Sequence, residues 1–323
     1  MSGPAELREW LTTSADPSVR LRVYLELLDR DADDPEVAEA RMLIGRMGWV
    51  ASILDGQLAD GQWGTPGTTD LELYRPKYLA TFWQLIVLAD LGASRTDLRV
   101  SRAAELLLDR FSTGPEDALG GPGSEVCLTG NAVRSLFRLG FGDDARVRRA
   151  LAWLVETQKA DGGWHCFPSQ SGTLDGWEAL AAFAVVPKMA RSAALERAIA
   201  RGAEFYLERE LMREGEGRYE PWFRLHYPVH YYYDLLVGLD LLTALGYGDD
   251  RRLWPALDWL ESRRRTDGRW VLDALHPDLG EGDPYGSSAV QSPFFAFGLE
   301  LPGQPSRWIT MNASIVLRRA GRA

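Results

Sequence analysis

Cysteine is nearly absent. Two occur in 323 residues, too few for a disulfide framework, so in a reducing compartment they are expected as thiols, metal ligands or plain core residues. Long hydrophobic runs are missing as well: no apolar stretch approaches the roughly 20 residues that span a bilayer. The first residues, MSGPAELREW, lack the basic start and apolar core of a signal peptide, so the expectation is a cytoplasmic chain that is not an integral membrane protein. Positive charge is in short supply, with 36 Lys plus Arg facing 46 Asp plus Glu for a formal charge of −10. A domain this acidic repels a phosphate backbone, which argues against nucleic acid as a partner. What is abundant is aromatic surface. Twelve Trp, 11 Tyr and 11 Phe in a chain that is 46% apolar are enough for a sizeable core and for a pocket that holds an apolar ligand.

A repeat organises the chain. Leu54 to Gly64 reads LDGQLADGQWG, Leu154 to Cys166 reads LVETQKADGGWHC and Leu260 to Val271 reads LESRRRTDGRWV, each a helix-like stretch followed by Asp-Gly-x-Trp. Their tryptophans, Trp63, Trp164 and Trp270, lie 101 and 106 residues apart, and Leu-Gly pairs at Gly92, Gly140 and Gly246 halve that interval. The unit is therefore one helical hairpin of roughly 45 to 50 residues. Apolar periodicity predicts helices over 5–13, 18–30, 35–57, 78–91, 96–111, 128–139, 144–159, 174–187, 193–212, 230–245, 250–265 and 306–320, with Gly/Pro-rich loops at 112–125 and 271–305. Helices 174–187 and 230–245 are apolar nearly all round, whereas 144–159 and 250–265 carry arginines on one face, the contrast expected between inner and outer layers. The expected fold is all-α: an α/α toroid, a double ring of about six hairpins in one domain over 1–323, with residues 1–40 completing the ring.

The string Gln-x-x-Asp-Gly-Gly-Trp at Gln158 to Trp164, weakened at Gln57 to Trp63 and at Arg264 to Trp270, resembles the QW-type repeat of the prenyltransferase and squalene oxidase repeat family. That family includes terpene cyclases and the β subunits of protein prenyltransferases. The resemblance covers about 41–320 and implies an α/α toroid in which the Gln caps a following helix and the Trp is structural. It also implies a central cavity for an isoprenoid-like apolar substrate. The catalytic motifs transfer poorly. Asp31-Ala32-Asp33-Asp34 matches the proton-donating Asp-x-Asp-Asp only formally, because Pro35 follows and a solvated helix cap is the simpler reading. Asp143-Asp144 and Asp249-Asp250 read as turns, and Asp175-Gly176-Trp177 puts Trp where a prenyltransferase zinc Cys belongs.

A different metal set is available to the same topology. Cys127, Cys166, His226 and His230 all precede expected inner helices, whose N-termini share one face of such a ring. Two thiolates and one His make a three-ligand Zn²⁺ site with an open fourth position, while two plain core cysteines are the alternative. His230 is preferred over His226 because it would lie one helical turn before Asp234, a suitable partner for its ring nitrogen. His165 reads as a loop neighbour and His276 as solvated. For substrate contact the candidates are Trp83, Trp177, Tyr231, Tyr232 and Tyr233, whose rings can bury an apolar chain or stabilise a cation, with Tyr74, Arg75 and Lys77 placed to hold an anionic group. The expected activity is a zinc-dependent transferase or cyclase that chelation would silence. If no metal is involved, the weight falls on Asp175 or Asp234 as acid or base. A non-catalytic ligand carrier or scaffold and a zinc-thiolate cyclase of peptide thiols are the alternatives.

Overall fold

Short acceptor side chains set the helix starts. Asp16, Asp34, Asp144, Ser192, Asp234 and Ser306 each sit at an N-cap and accept a backbone N–H from the first turn that follows. The computed structural model describes residues 4–64, 73–74, 78–113, 124–167, 169–214, 218–275 and 300–322. Among these the secondary structure is helical, apart from isolated bridges such as Trp164 with Thr173. The chain divides into two compact units, Gly56–Arg209 and Met1–Asp55 with Glu210–Ala323.

Among the described residues, the unit Gly56–Arg209 holds six α-helices: α5 (Thr81–Asp90), α6 (Leu98–Thr113), α7 (Val126–Leu139), α8 (Ala145–Glu156), α9 (Trp177–Ala184) and α10 (Ala193–Glu208). α7 packs on both α5 and α9, while α6 packs on α5, α8 on α7 and α10 on α9. Burial follows sequence pattern. Every residue from Thr81 to Ala89 and from Trp177 to Phe183 is buried, whereas α8 buries only Val147, Ala150 and Leu154 and leaves Arg148 and Arg149 exposed. An all-round apolar helix goes inside and an amphipathic one outside because only that arrangement removes both apolar faces from water.

In the other unit, α1 (Pro4–Thr12), α2 (Pro17–Arg22), α3 (Pro35–Leu43) and α4 (Gly48–Asp55) join α11 (Leu235–Ala244), α12 (Trp254–Ser262) and α13 (Arg307–Arg319). α2 runs into a π-helical turn, Val23–Leu27, and α13 packs on α11, on α2 and on that turn. The two ends of the chain thus meet within one unit. Arg22 Nη1 donates to Asn312 Oδ1 at 2.6 Å and Arg319 Nη2 to Glu26 Oε2 at 2.6 Å.

Several expected helices differ in extent. The stretch 35–57 is two helices, because Gly45 and Gly48 adopt left-handed φ of 83° and 74°. The expected helix 174–187 opens as a 3₁₀ turn, Leu174–Gly176. The expected helix 230–245 begins only at Leu235, since Asp234 spends its carboxylate as the cap.

The repeats fold alike. In each, the glycine of Asp-Gly is left-handed (Gly61 93°, Gly162 91°, Gly268 80°) and the Asp Oδ1 accepts the N–H two residues on, from Gln62, Gly163 and Arg269. Gln57 Nε2 donates to Gly61 O and to Arg99 O in α6, and Gln158 Nε2 to Gly162 O and to Ala198 O in α10, tying each turn to the next outer helix. Trp164 and Trp270 point their indole N–H back at the helix just ended, onto Leu154 O and Leu260 O, each at 2.8 Å. Forward connection uses a threonine of the next inner helix. The Trp63 N–H donates to Thr81 Oγ1 and the Trp270 N–H to Thr310 Oγ1. The repeat residues are therefore structural clamps.

Candidate functional site

Each unit contains a cluster of buried polar side chains. In the unit formed by both chain ends, the cluster grows from the cap of α11. Asp234 Oδ1 accepts the Val237 N–H at 2.8 Å, which leaves Oδ2 to accept the Nδ1–H of His226 at 2.6 Å and the His226 backbone N–H at 3.2 Å. The two side chains are 0% and 1% exposed. With Nδ1 donating to the carboxylate, a neutral imidazole carries its free lone pair on Nε2, and this atom is buried with no hydrogen-bond partner among the described residues. That is the arrangement of an oriented proton acceptor, the carboxylate fixing the tautomer and able to stabilise an imidazolium. Beside it, the Tyr232 ring stands edge-on to the imidazole at 6.5 Å and stacks on Tyr231 at 4.5 Å.

This corrects the expected geometry. The partner of Asp234 is His226, not His230. With α11 starting at Leu235, His230 lies in a turn at φ +45° and not on the helix one turn ahead of Asp234. For the same reason Tyr231, Tyr232 and Tyr233 precede the helix. Tyr233 is buried with its hydroxyl donating to Leu211 O at 2.9 Å, while Tyr231 and Tyr232 are half-buried.

In the unit Gly56–Arg209 the cluster lies where α7 crosses α9. The helices meet at Gly130, where an added Cβ would fall 2.6 Å from the Glu178 backbone carbon. Cys127, Gly130 and Arg134 recur along one face of α7 at helical spacing. Glu178 is fully buried, and neither of its carboxylate oxygens has a hydrogen-bond partner among the described residues. Desolvation above all, and then the nearby Cys127 and Asp175, push its pKa well above the usual carboxylate range, against the opposing pull of Arg134. Burial thus favours the protonated form of Glu178. The Arg134 guanidinium lies 3.9 Å from Asp90 and 4.9 Å from the centre of the Trp177 ring, so one face of that ring is already covered by a cation. Sequence reasoning missed Glu178 and Arg134. The available signal was a single carboxylate, Glu178, in the otherwise apolar run WEALAAFAVVP.

Cys127 and Cys166 come together in this same unit: the Cys127 N–H donates to Cys166 Sγ at 3.2 Å. The Cys127 thiol is pushed up by its hydrogen bond to the Cys166 side chain, by burial and by the charge of Glu125, which opposes the thiolate a metal would need. The histidines belong to the other unit, and His226 has given Nδ1 to Asp234. Among the described residues no three His, Cys, Asp or Glu side chains group as a metal site.

Other candidates fall elsewhere. Trp83 donates its indole N–H to Tyr74 O at 2.7 Å and is packed among Tyr74, Tyr78 and Phe82. Asp175 is exposed in the 3₁₀ turn before α9. Asp34 caps α3 and pairs with Arg30, and Asp31 and Asp33 are exposed, so the Asp-x-Asp-Asp string is a solvated helix start. His165 Nδ1 accepts the Phe167 N–H within its loop. Arg75, Lys77 and His276 lie outside the described residues.

No protein-family model matches the sequence, and no curated protein matches it significantly. Solved structures that resemble it include a variant of the type II terpene cyclase MstE from Scytonema in complex with geranylgeranyl dihydroxybenzoate (TM-score 0.31, 14% identity, 85% of this chain and 96% of that one). The apo form of MstE is similar at TM-score 0.29 and 16% identity, over 84% of this chain and 96% of that one. A protein from Actinoplanes is similar at TM-score 0.30 and 16% identity, over 84% and 97%. At these levels the likeness assigns no activity, and the chemistry rests on the chain's own residues.

Proposed function

We propose that this chain is a terpene cyclase-like protein that binds an isoprenoid-like apolar molecule and takes a proton from it, with His226 as the base and Asp234 as its positioning partner. The observation that carries the reading is the buried His226–Asp234 pair, whose 2.6 Å hydrogen bond leaves Nε2 as the acceptor. In the step proposed, the C–O bond of an allylic diphosphate breaks with its electron pair leaving on the diphosphate, a C–H bond next to the cationic carbon so formed then breaks, and the proton goes to Nε2. The electron pair left behind forms a carbon–carbon double bond, and the imidazolium so formed is held by the Asp234 carboxylate. Tyr231 and Tyr232 offer apolar surface and ring faces for the chain and its charge. The step uses only His226, Asp234 and the neighbouring tyrosine rings. Asp175 is too exposed to serve as a buried acid, and Glu178 is too weak an acid to protonate an unactivated alkene.

The test is product analysis by mass spectrometry after incubation with polyprenyl alcohols, polyprenyl diphosphates and prenylated hydroxybenzoates. Wild type is expected to convert at least one of them. His226→Gln is expected to lose about 100-fold or more in turnover, the scale of a lost general base, while binding is retained. Turnover by His226→Gln at the wild-type rate would remove the assignment. Saturable binding without product in the wild type would establish the second reading, a non-catalytic carrier, which the solvated Asp31–Asp34 string and the exposed Asp175 favour.

A further inference from the structure

We propose that Cys127 and Cys166 form a disulfide when the protein meets an oxidised dithiol such as oxidised glutathione, making this pair a covalent modification site on the first turn of α7. The two residues are 39 apart in sequence, yet the fold has already brought them together. The Cys127 N–H, one of the N–H groups that an α-helix leaves without an intrahelical acceptor, donates to Cys166 Sγ at 3.2 Å. That hydrogen bond puts the Cys166 sulfur within about 4.7 Å of the Cys127 Cα, since a backbone N–Cα bond adds only about 1.5 Å. Both cysteines are partly exposed, so a small oxidant reaches them.

The chemistry balances with the groups present and one co-reactant. Cys166, whose sulfur accepts the helix N–H, attacks one sulfur of oxidised glutathione. The glutathione S–S bond breaks, and one glutathione leaves with the Cys166 proton. Cys127 then attacks the Cys166 sulfur of the mixed disulfide. Its thiol proton has an acceptor in place, because Cys127 Sγ donates to Glu125 Oε2 at 3.7 Å. The second glutathione is released, the two cysteine sulfurs having lost two electrons and oxidised glutathione having gained them. The bond would tie the start of inner helix α7 to the segment that follows the Trp164 clamp, closing a loop that contains α7 and α8. It lies beside Glu178, whose carboxyl feels the charge of Cys127. Nothing in this inference depends on the identity of the substrate or on His226.

The experiment equilibrates the full-length protein in glutathione redox buffers and follows intact mass, thiol count under denaturing conditions, and Tm. The expected result is loss of both thiols together, with a mass decrease of about 2 Da and no retained glutathione. A cross-linked peptide pair containing Cys127 and Cys166 should appear, and Tm should rise by several degrees in a manner reversed by dithiothreitol. Cys127→Ser and Cys166→Ser should each take up a single glutathione and show no such rise. Wild-type protein that retains both thiols in oxidising buffer, or that accumulates two glutathione adducts without closing the bond, would overturn the proposal.

Discussion

Glu178 shows how one buried side chain couples stability to pH. In the unfolded chain its carboxyl titrates in the ordinary carboxylate range, whereas in the folded protein burial holds the proton on to higher pH. Below the unfolded value both states are protonated and the contribution to stability is fully present. Above it the unfolded chain releases the proton and the folded chain does not, so stability falls by about 1.4 kcal/mol per pH unit until Glu178 ionises in the folded state. Glu178→Gln removes this slope. It is expected to be more stable than wild type at pH 8 by about 1 kcal/mol or more, with the difference closing towards pH 4 in urea titrations. A difference that stays constant with pH would show that Glu178 is ionised in the folded protein. The lone Glu in an apolar helix was visible in the sequence, but its meaning depended on α7. Only the fold shows that Gly130 lets the helices approach and that, among the described residues, no donor reaches the carboxylate. Asp234 was legible as the partner of a histidine. Which histidine was not, because the choice turned on whether 230–234 is helical, and the Asp234 cap decides that it is not.

Elements were more legible than residues, since apolar periodicity and Asp-Gly turns are local signals. The helical hairpins, the apolar inner helices and the structural role of Trp63, Trp164 and Trp270 could all be read from the sequence. Helix ends were less legible where glycine conformation or a cap intervened, as at Gly45, Gly48 and Asp234. The zinc set could not be judged from sequence at all, because sharing a position before helices does not bring side chains to one point. The repeat turn itself supports a direct prediction. Gly162 combines a φ of +91° with a backbone so close to Arg201 that an added Cβ would collide with its carbonyl oxygen, whereas Gly246, at +97°, has nothing within 4 Å. Left-handed backbone costs a non-glycine residue about 1–2 kcal/mol, and both sites share that term. The collision is added only at Gly162. Gly162→Ala is therefore expected to lose about 2 kcal/mol or more beyond Gly246→Ala in equilibrium unfolding, and equal losses would contradict the clamp geometry.

Among the described residues, several aromatic rings are already committed. Trp164 and Trp270 clamp the repeats, Trp83 is locked into a cluster with Tyr74, Tyr78 and Phe82, and Trp177 supports Arg134. The half-buried stack of Tyr231 and Tyr232 beside His226 is different, since its rings lie next to a base with an uncommitted lone pair. An isoprenoid cation held there would gain ring-face stabilisation and give up its proton to Nε2. Within the unit that contains this site, both chain ends contribute. α13 packs on α2, and Arg318 donates to the Glu26 carbonyl at 2.5 Å, so the intact chain is the form to assay. The most direct measurement is the affinity of the wild-type protein for a polyprenyl chain carrying a tertiary amine, protonated at pH 7, against the uncharged alcohol of the same length, by titration of tryptophan fluorescence. Stabilisation of a cation by ring faces predicts saturable binding of both, with the ammonium held about tenfold more tightly. No saturable binding of either ligand, or an ammonium bound no better than the alcohol, would contradict the proposed chemistry.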